Sequence, residues 1–157
     1  MDLKEYLVDT FHYNDWANKK LLEKIRQLPD KTEAVKIFSH LINAQNKWMA
    51  RVFKDAGSTQ MDWWKPLYDL DKLEAEWDKS VFQWLNYLND CSEEELDIEV
   101  SFIGKHGGLF AVRPKDIATQ QNYHSIHHRA QVQTIIRKQG LQPEFVDYIS
   151  SKYRKLS

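Results

Sequence analysis

The sequence predicts an all-α protein, a four-helix bundle that carries one small β-hairpin before its last core helix. Three observations predict this class. Apolar residues recur at every third or fourth position in four long segments, the period shortens to two between residues 97 and 112, and proline or glycine stands at several segment boundaries. Four segments of about 20 to 25 residues each suit a bundle, and the length suits a single domain spanning residues 1–157.

The first predicted helix spans residues 3–28 and ends before Pro29. Two asparagines, Asn14 and Asn18, stand on its apolar stripe where leucines are expected. They lie at the margin of the stripe, form hydrogen bonds within the core, or mark a polar cavity at this level of the bundle. The residue pattern leaves these alternatives open.

The second predicted helix spans residues 32–55, and its apolar stripe includes His40, which therefore points inward. A connection of residues 56–69 follows. Connections of this length are uncommon in compact domains and tend to be functional or to wrap the core. Trp63 and Trp64 predict that this connection is held against the domain, either at the rim of a pocket or as a cover for the core.

Residues 70–88 form the third predicted helix, and the acidic residues 89–96 form a solvated connection. Alternation then indicates a strand, and a glycine-rich turn over residues 104–108 joins it to a second strand. The turn lacks the lysine and hydroxyl residue of a phosphate-binding loop, so we exclude nucleotide binding. His106 in this turn is expected to be exposed.

The fourth predicted helix begins at Pro114 and ends at Gly140. His124 and His128 occupy the centre of its inward face, four residues apart, so they lie one above the other. After Gly140, residues 141–156 carry scattered apolar side chains. They predict a short C-terminal helix that packs across one end of the bundle.

Composition bounds the function. The formal net charge is −1, which gives no electrostatic reason to expect a nucleic-acid partner. The single cysteine, Cys91, excludes an internal disulfide and is compatible with a reducing compartment. The first residues lack the pattern of a signal peptide, and no run approaches the roughly 18 apolar residues of a membrane span. We therefore expect a cytoplasmic protein with no membrane partner.

Three inward histidines from two helices form the main candidate site. His124 and His128, together with His40, would cost several kcal/mol if their ring nitrogens were left unsatisfied in a core. A divalent metal removes this cost, and three histidines with an open position are typical of a catalytic zinc site. The alternative is that each histidine is satisfied by hydrogen bonds within the core.

Height along the bundle predicts which polar residues lie near the three histidines. If the first two helices run antiparallel about Pro29, Asn18 and His40 lie at similar heights, at 1.5 Å per residue. Asn18 and Asn14 are then expected to support the metal site from outside or to contact the substrate. Gln121 lies on the inward face of the fourth helix and is a third candidate for this pocket.

Several segments resemble the DinB family across nearly the whole chain. Residues 13–18 resemble the first-helix motif of that family, and His40-Leu41-Ile42 with Trp48 resembles its second-helix motif. The last core helix of the family reads His-x-x-His-His-Arg-Gly-Gln with a Gly-x-x-Pro stop. The matching run here is His124-Ser125-Ile126-His127-His128-Arg129-Ala130-Gln131, followed by Gly140-Leu141-Gln142-Pro143. Ala130 departs from the usual glycine.

The resemblance implies a four-helix bundle that binds a divalent metal through His40, His124 and His128. It also implies a metal-dependent hydrolase or a transferase that uses a low-molecular-weight thiol, a small-molecule substrate, and a homodimer. Zinc or nickel is the first expectation, with iron or manganese as alternatives, because three imidazoles suit several metals.

No catalytic residue can be named from the sequence. The inward stripes carry no acidic residue near the histidines, so the candidates are polar: Tyr13 and the three amides already named. His127 is expected on the flank of the helix, and Arg129 is expected in a surface ion pair. The hypothesis from a different class is a metal- or ligand-binding stress-response module without turnover. A third is a structural bundle whose histidines only form hydrogen bonds.

Overall fold

The computed structural model describes residues 1–156 as a bundle of four long helices with one hairpin. The helices and strands are, in chain order, α1 (Leu3–Ile25), α2 (Thr32–Val52), α3 (Leu73–Asp90), α4 (Glu93–Asp97), β1 (Val100–Ile103), β2 (Leu109–Val112) and α5 (Pro114–Lys138). Single 3-10 turns occur at Ala56–Thr59 and Tyr148–Ser151. The predicted fold class is confirmed, and the long helices differ from prediction by a few residues at their ends.

The long helices are not arranged around the bundle in chain order. Close backbone approaches join α1 to α3 and α5, and they join α2 to the same two helices. The order around the bundle is therefore α1, α3, α2, α5, and α1 lies diagonally across from α2. This arrangement decides which side chains of α5 face each of the two helices.

The core contains two large apolar clusters separated by polar side chains, and a small third cluster of Tyr13, Ala17 and Val146. Leu21, Phe38 and Trp77 belong to the cluster at one end, and Phe11 and Trp84 belong to the cluster at the other. Between these clusters along the helices lies a set of buried polar residues, here called the polar layer: Asn14, Asn18, Asn43, Gln121, Ser125, His128 and Arg129. Asn14 and Asn18, which the sequence places on the apolar stripe of the first helix, both lie in this layer.

Two connections differ from the prediction. The acidic segment after α3 contains the short helix α4, because Ser92 and Glu95 cap its first turn: the Glu95 amide donates to Ser92 Oγ at 3.2 Å, and the Ser92 amide donates to Glu95 Oε2 at 2.7 Å. The predicted C-terminal helix is reduced to the turn Tyr148–Ser151. Pro143 disfavours helix there, and only Val146 of this segment's large apolar residues is buried.

The hairpin has the predicted position. Val100 pairs with Val112 and Phe102 pairs with Phe110, while Gly107 and Gly108 adopt the positive φ angles, +82° and +83°, that the turn requires. His106 is exposed, as predicted. Among residues 1–156, no helix combines the length and apolar character that crossing a membrane requires.

Candidate metal centre

The three histidines that were predicted to bind a metal converge at one point between α2 and α5. One nitrogen from each of His40, His124 and His128 lies within 4.8 Å of the other two. The Nε2 atoms of His40 and His124 are 3.1 Å apart. The spacing of four residues on α5 brings two of the rings together edge to face, with centroids 4.5 Å apart, and α2 supplies the third ring from the neighbouring helix.

Burial keeps these imidazoles neutral at pH 7. His40 and His128 are 6% and 8% exposed, and burial lowers the pKa of both rings. Burial, together with the neighbouring rings of His128, His40 and His127, lowers the pKa of His124 to about 4. A neutral imidazole has the free lone pair that a metal ligand needs.

Hydrogen bonds at the far side of two rings determine which nitrogen carries that lone pair. His40 Nδ1 lies 2.7 Å from the backbone carbonyl of Trp63, which only accepts, so Nδ1 carries the proton. His128 Nδ1 lies 2.7 Å from Gln131 Oε1, which assigns the same tautomer. In both residues the Nε2 lone pair is left for the centre, as is usual for histidines that bind metals.

The donor set fits a divalent metal ion. Metal–nitrogen bonds of about 2.0 to 2.1 Å in tetrahedral geometry place ligand nitrogens about 3.3 Å apart, and the Nε2 atoms of His40 and His124, 3.1 Å apart, are close to that spacing. The group contains three histidines and no carboxylate or thiol. Three neutral nitrogen donors suit zinc and nickel, and they leave one position of a tetrahedral site for a ligand from solution.

The long connection after α2 covers one side of this centre. Trp64 stacks on His40 with ring centroids 4.0 Å apart, and the Trp63 carbonyl receives the hydrogen bond described above. Asn43 Nδ2 donates to the Pro66 carbonyl at 3.1 Å and anchors the same segment to α2. The tryptophans therefore border the site, which agrees with the pocket-rim interpretation of this connection.

The two asparagines of α1 face a different part of α5. Arg129 Nη1 donates to Asn14 Oδ1 at 3.1 Å and to Asn18 Oδ1 at 2.9 Å, and Asn18 Nδ2 donates to Ser125 Oγ at 2.7 Å. Within residues 1–156, neither amide forms a hydrogen bond to a histidine of the centre. Because α1 lies diagonally across from α2, equal height along the bundle does not bring these asparagines to His40. Of the sequence-based alternatives, hydrogen bonding within the core is the one observed.

The surface ion pair predicted for Arg129 is wrong. Arg129 is 3% exposed, and its Nη2 also donates to Tyr13 Oη at 3.0 Å. Tyr13 Oη in turn donates to the carbonyl of Val146, which joins the C-terminal segment to the bundle. The sequence signal that could have revealed this is the spacing of four residues from Ser125 to Arg129, which places both on one face of α5.

Gln121 and His127 occupy the positions that the helix period predicts. Gln121 is buried, and its Oε1 has no hydrogen-bond partner, whereas its Nε2 lies 3.5 Å from the carbonyl of Ile117. Its role as a pocket residue stays a prediction. His127 is exposed on the flank of the helix, as expected. Gln131 was not predicted, although its place three residues after His128 is a signal for a supporting contact.

Comparison with known families and structures complements this geometry. The family model described as the DinB family matches residues 1–155. No curated protein and no solved structure matches the chain significantly.

Proposed function

The chain belongs to the DinB family, and on that premise we propose that it is a metal-dependent enzyme acting on a small molecule. A divalent ion, zinc or nickel before iron or manganese, would be held by His40, His124 and His128. It would activate water or a low-molecular-weight thiol, in a hydrolase or in a thiol S-transferase. The observation that supports this proposal best is the convergence of three neutral imidazoles with no fourth protein ligand among them.

The residues of the centre have separable tasks. A divalent ion held by these three imidazoles would lower the pKa of a bound water molecule or thiol. The Trp63 carbonyl and Gln131 hold two imidazoles in the tautomer that presents Nε2. The stacked ring of Trp64 excludes water from one face of His40.

A second candidate is a metal- or ligand-binding module without turnover. The absence of a carboxylate base from the histidine group and the cover provided by Trp64 favour it. Homodimer assembly, proposed from the family resemblance, and a cytoplasmic location, proposed from the single cysteine, would suit either candidate.

Metal content and activity test the proposal in sequence. Protein purified without an affinity tag is expected to contain close to one divalent ion per chain, and His124→Ala is expected to lose it. His127→Ala is the matched control, since it removes an exposed histidine from the same helix. Metal-loaded protein is then assayed with a panel of thiols and electrophiles and with hydrolysable esters and amides.

The outcomes separate the candidates. Equal metal content in wild type and His124→Ala would refute the proposed metal centre. Metal binding without turnover across the panel, with ligand binding that survives His128→Ala, would favour the binding module.

A further inference from the structure

The face of α2 that carries His40 continues to two buried cations. Lys47 and Arg51 follow His40 by seven and eleven residues, which is close to whole turns of the helix. Each is 5% exposed. At 1.5 Å per residue, Lys47 lies about 10 Å along the helix from His40. Lysine and arginine are almost never this buried unless they are paired, so their partners are the question.

Arg51 is surrounded by aromatic rings. Its guanidinium carbon lies 4.0 Å from the ring centroid of Phe102, 4.5 Å from that of Trp48 and 5.2 Å from that of Trp63. These contacts stabilise the cation but accept no hydrogen bond in its plane, and the buried Nε atom has no partner. The planar donor fork of Arg51 therefore has unused hydrogen-bonding capacity.

Lys47 lies beside Arg51 and is only partly compensated. Its Nζ donates to the carbonyl of Met61 and lies 4.9 Å above the ring of Trp63. Burial lowers the pKa of Lys47, the charge of Arg51 lowers it further, and Asp62 raises it. Within residues 1–156, no carboxylate forms an ion pair with Lys47 or Arg51.

Both cations line a cavity of about 290 Å³, here called the anion cavity, together with Trp63, Trp64 and Lys105. Its one acidic lining residue is Asp62. Asp62 Oδ1 already accepts the backbone amides of Trp64 and Lys65, at 2.6 and 3.0 Å. Three cations thus face one carboxylate that is engaged with its own loop, and an anion placed here would gain two buried positive charges.

A second cavity of about 390 Å³ adjoins the first and shares Arg51, Trp63 and Lys105 with it. Its remaining walls include the rings of Trp48, Phe102 and Phe110. A charged recess next to an aromatic recess suits a molecule that has an anionic group on an apolar body.

We propose that the anion cavity binds a carboxylate or phosphate group of the molecule that reacts at the histidine centre. This inference rests on the proposed function, and it names the substrate class: a small amphipathic oxyanion whose charged group binds beside α2, roughly 10 to 16 Å along the helix from His40. Arg51 holds the oxyanion with its planar fork, and Lys47 adds a point charge. Trp64 borders both sites, because it stacks on His40 and also lines the anion cavity.

The test uses the full metal-loaded chain and calorimetric titration with phenyl phosphate, inorganic phosphate and phenol. Wild type is expected to bind phenyl phosphate more tightly than either of the others. Arg51→Met is expected to weaken phenyl phosphate at least about tenfold, because a charge-assisted bidentate contact is lost. Arg137→Met is the matched control, since it removes an exposed arginine from α5 and should leave binding unchanged.

His124→Ala separates the two sites. A phosphate bound to the metal would be lost in this variant, whereas a phosphate in the anion cavity is kept within about threefold. Wild-type protein that binds phenyl phosphate but takes up no divalent metal would overturn the proposed function alone. Metal-dependent turnover that is indifferent to Arg51→Met would overturn the anion cavity alone.

Circular dichroism checks that Arg51→Met folds. If it does not, the Lys105→Met variant, at the exposed rim of the anion cavity, is tested instead. Its affinity for phenyl phosphate is expected to be about threefold lower than that of wild type. The proposal is overturned if wild type shows no saturable binding of phenyl phosphate at concentrations up to about 10 mM. A specific charged contact should give a Kd below this value. Equal affinities of the Arg51→Met and Arg137→Met variants would overturn it as well.

Discussion

Arg129→Met should destabilise the fold strongly while leaving the metal centre nearly intact. The substitution keeps an unbranched stem in the core and removes three hydrogen bonds, to Tyr13, Asn14 and Asn18. Burial lowers the pKa of Arg129, and within residues 1–156 no carboxylate forms an ion pair with it. Its charge is therefore compensated mainly by these neutral oxygens.

The magnitude follows from those three bonds. A hydrogen bond to a charged group contributes about 1.5 kcal/mol or more, so three of them contribute about 4.5 kcal/mol. Removing the buried cation also removes its desolvation cost, which offsets part of this loss. We expect a net decrease in the free energy of unfolding of about 3 kcal/mol, equivalent to a fall in Tm of roughly 6 to 12 °C for a chain of this size.

Urea denaturation followed by far-ultraviolet circular dichroism measures this change, with Arg137→Met as an exposed control that stays within about 0.5 kcal/mol of wild type. Zinc affinity, measured by competition with a chromophoric chelator, is expected to change less than about threefold, because Arg129 bonds to no histidine of the centre. A loss of stability below about 1 kcal/mol would refute the reasoning that this arginine holds α1, α5 and the C-terminal segment together.

Three further predictions concern the histidine centre. Zinc at a hundredfold excess over its Kd should raise the free energy of unfolding by about 2.7 kcal/mol and Tm by roughly 5 to 10 °C. Differential scanning fluorimetry should show that His124→Ala loses this shift and that His127→Ala keeps it. Gln131→Leu should weaken zinc about 10- to 100-fold, since His128 loses the partner that holds its tautomer, whereas Gln133→Leu should not. In metal-free protein, the free energy of unfolding should fall as pH falls from about 6.5 towards 4, because the unfolded chain takes up protons that the buried imidazoles refuse. His124 alone should account for a loss on the order of 2 kcal/mol, allowing for its partial exposure, and urea denaturation of His124→Ala should show a shallower slope.

Each of these has a contrary result. Equal zinc shifts in the two histidine variants would remove His124 from the ligand set. An unchanged zinc affinity in Gln131→Leu would mean that the tautomer of His128 is held by other contacts. A pH dependence identical in wild type and His124→Ala would show that this ring is protonated as readily in the folded chain as in the unfolded one.

The local periodicity of the sequence was sufficient to predict most of the architecture. His124 and His128 lie four residues apart on a helix, so their proximity follows from the helix period alone, and the apolar stripe of α2 predicts that His40 points inward. The glycine turn of the hairpin is equally local, since it depends on the backbone freedom of Gly107 and Gly108. All of these features are set within a few residues of sequence.

The expected surface ion pair of Arg129 was wrong because the helix period does not tell which face of α5 meets which neighbouring helix. The sequence determined that α5 carries two polar rows, one with His124 and His128 and one with Ser125 and Arg129. Only the tertiary structure decided that the first row faces α2 and the second faces α1, because the order of helices around a bundle depends on how all four pack together. For the same reason, the Trp63 carbonyl at the centre has no signature in the sequence: every residue carries a carbonyl group, and only the path of the connection selects one.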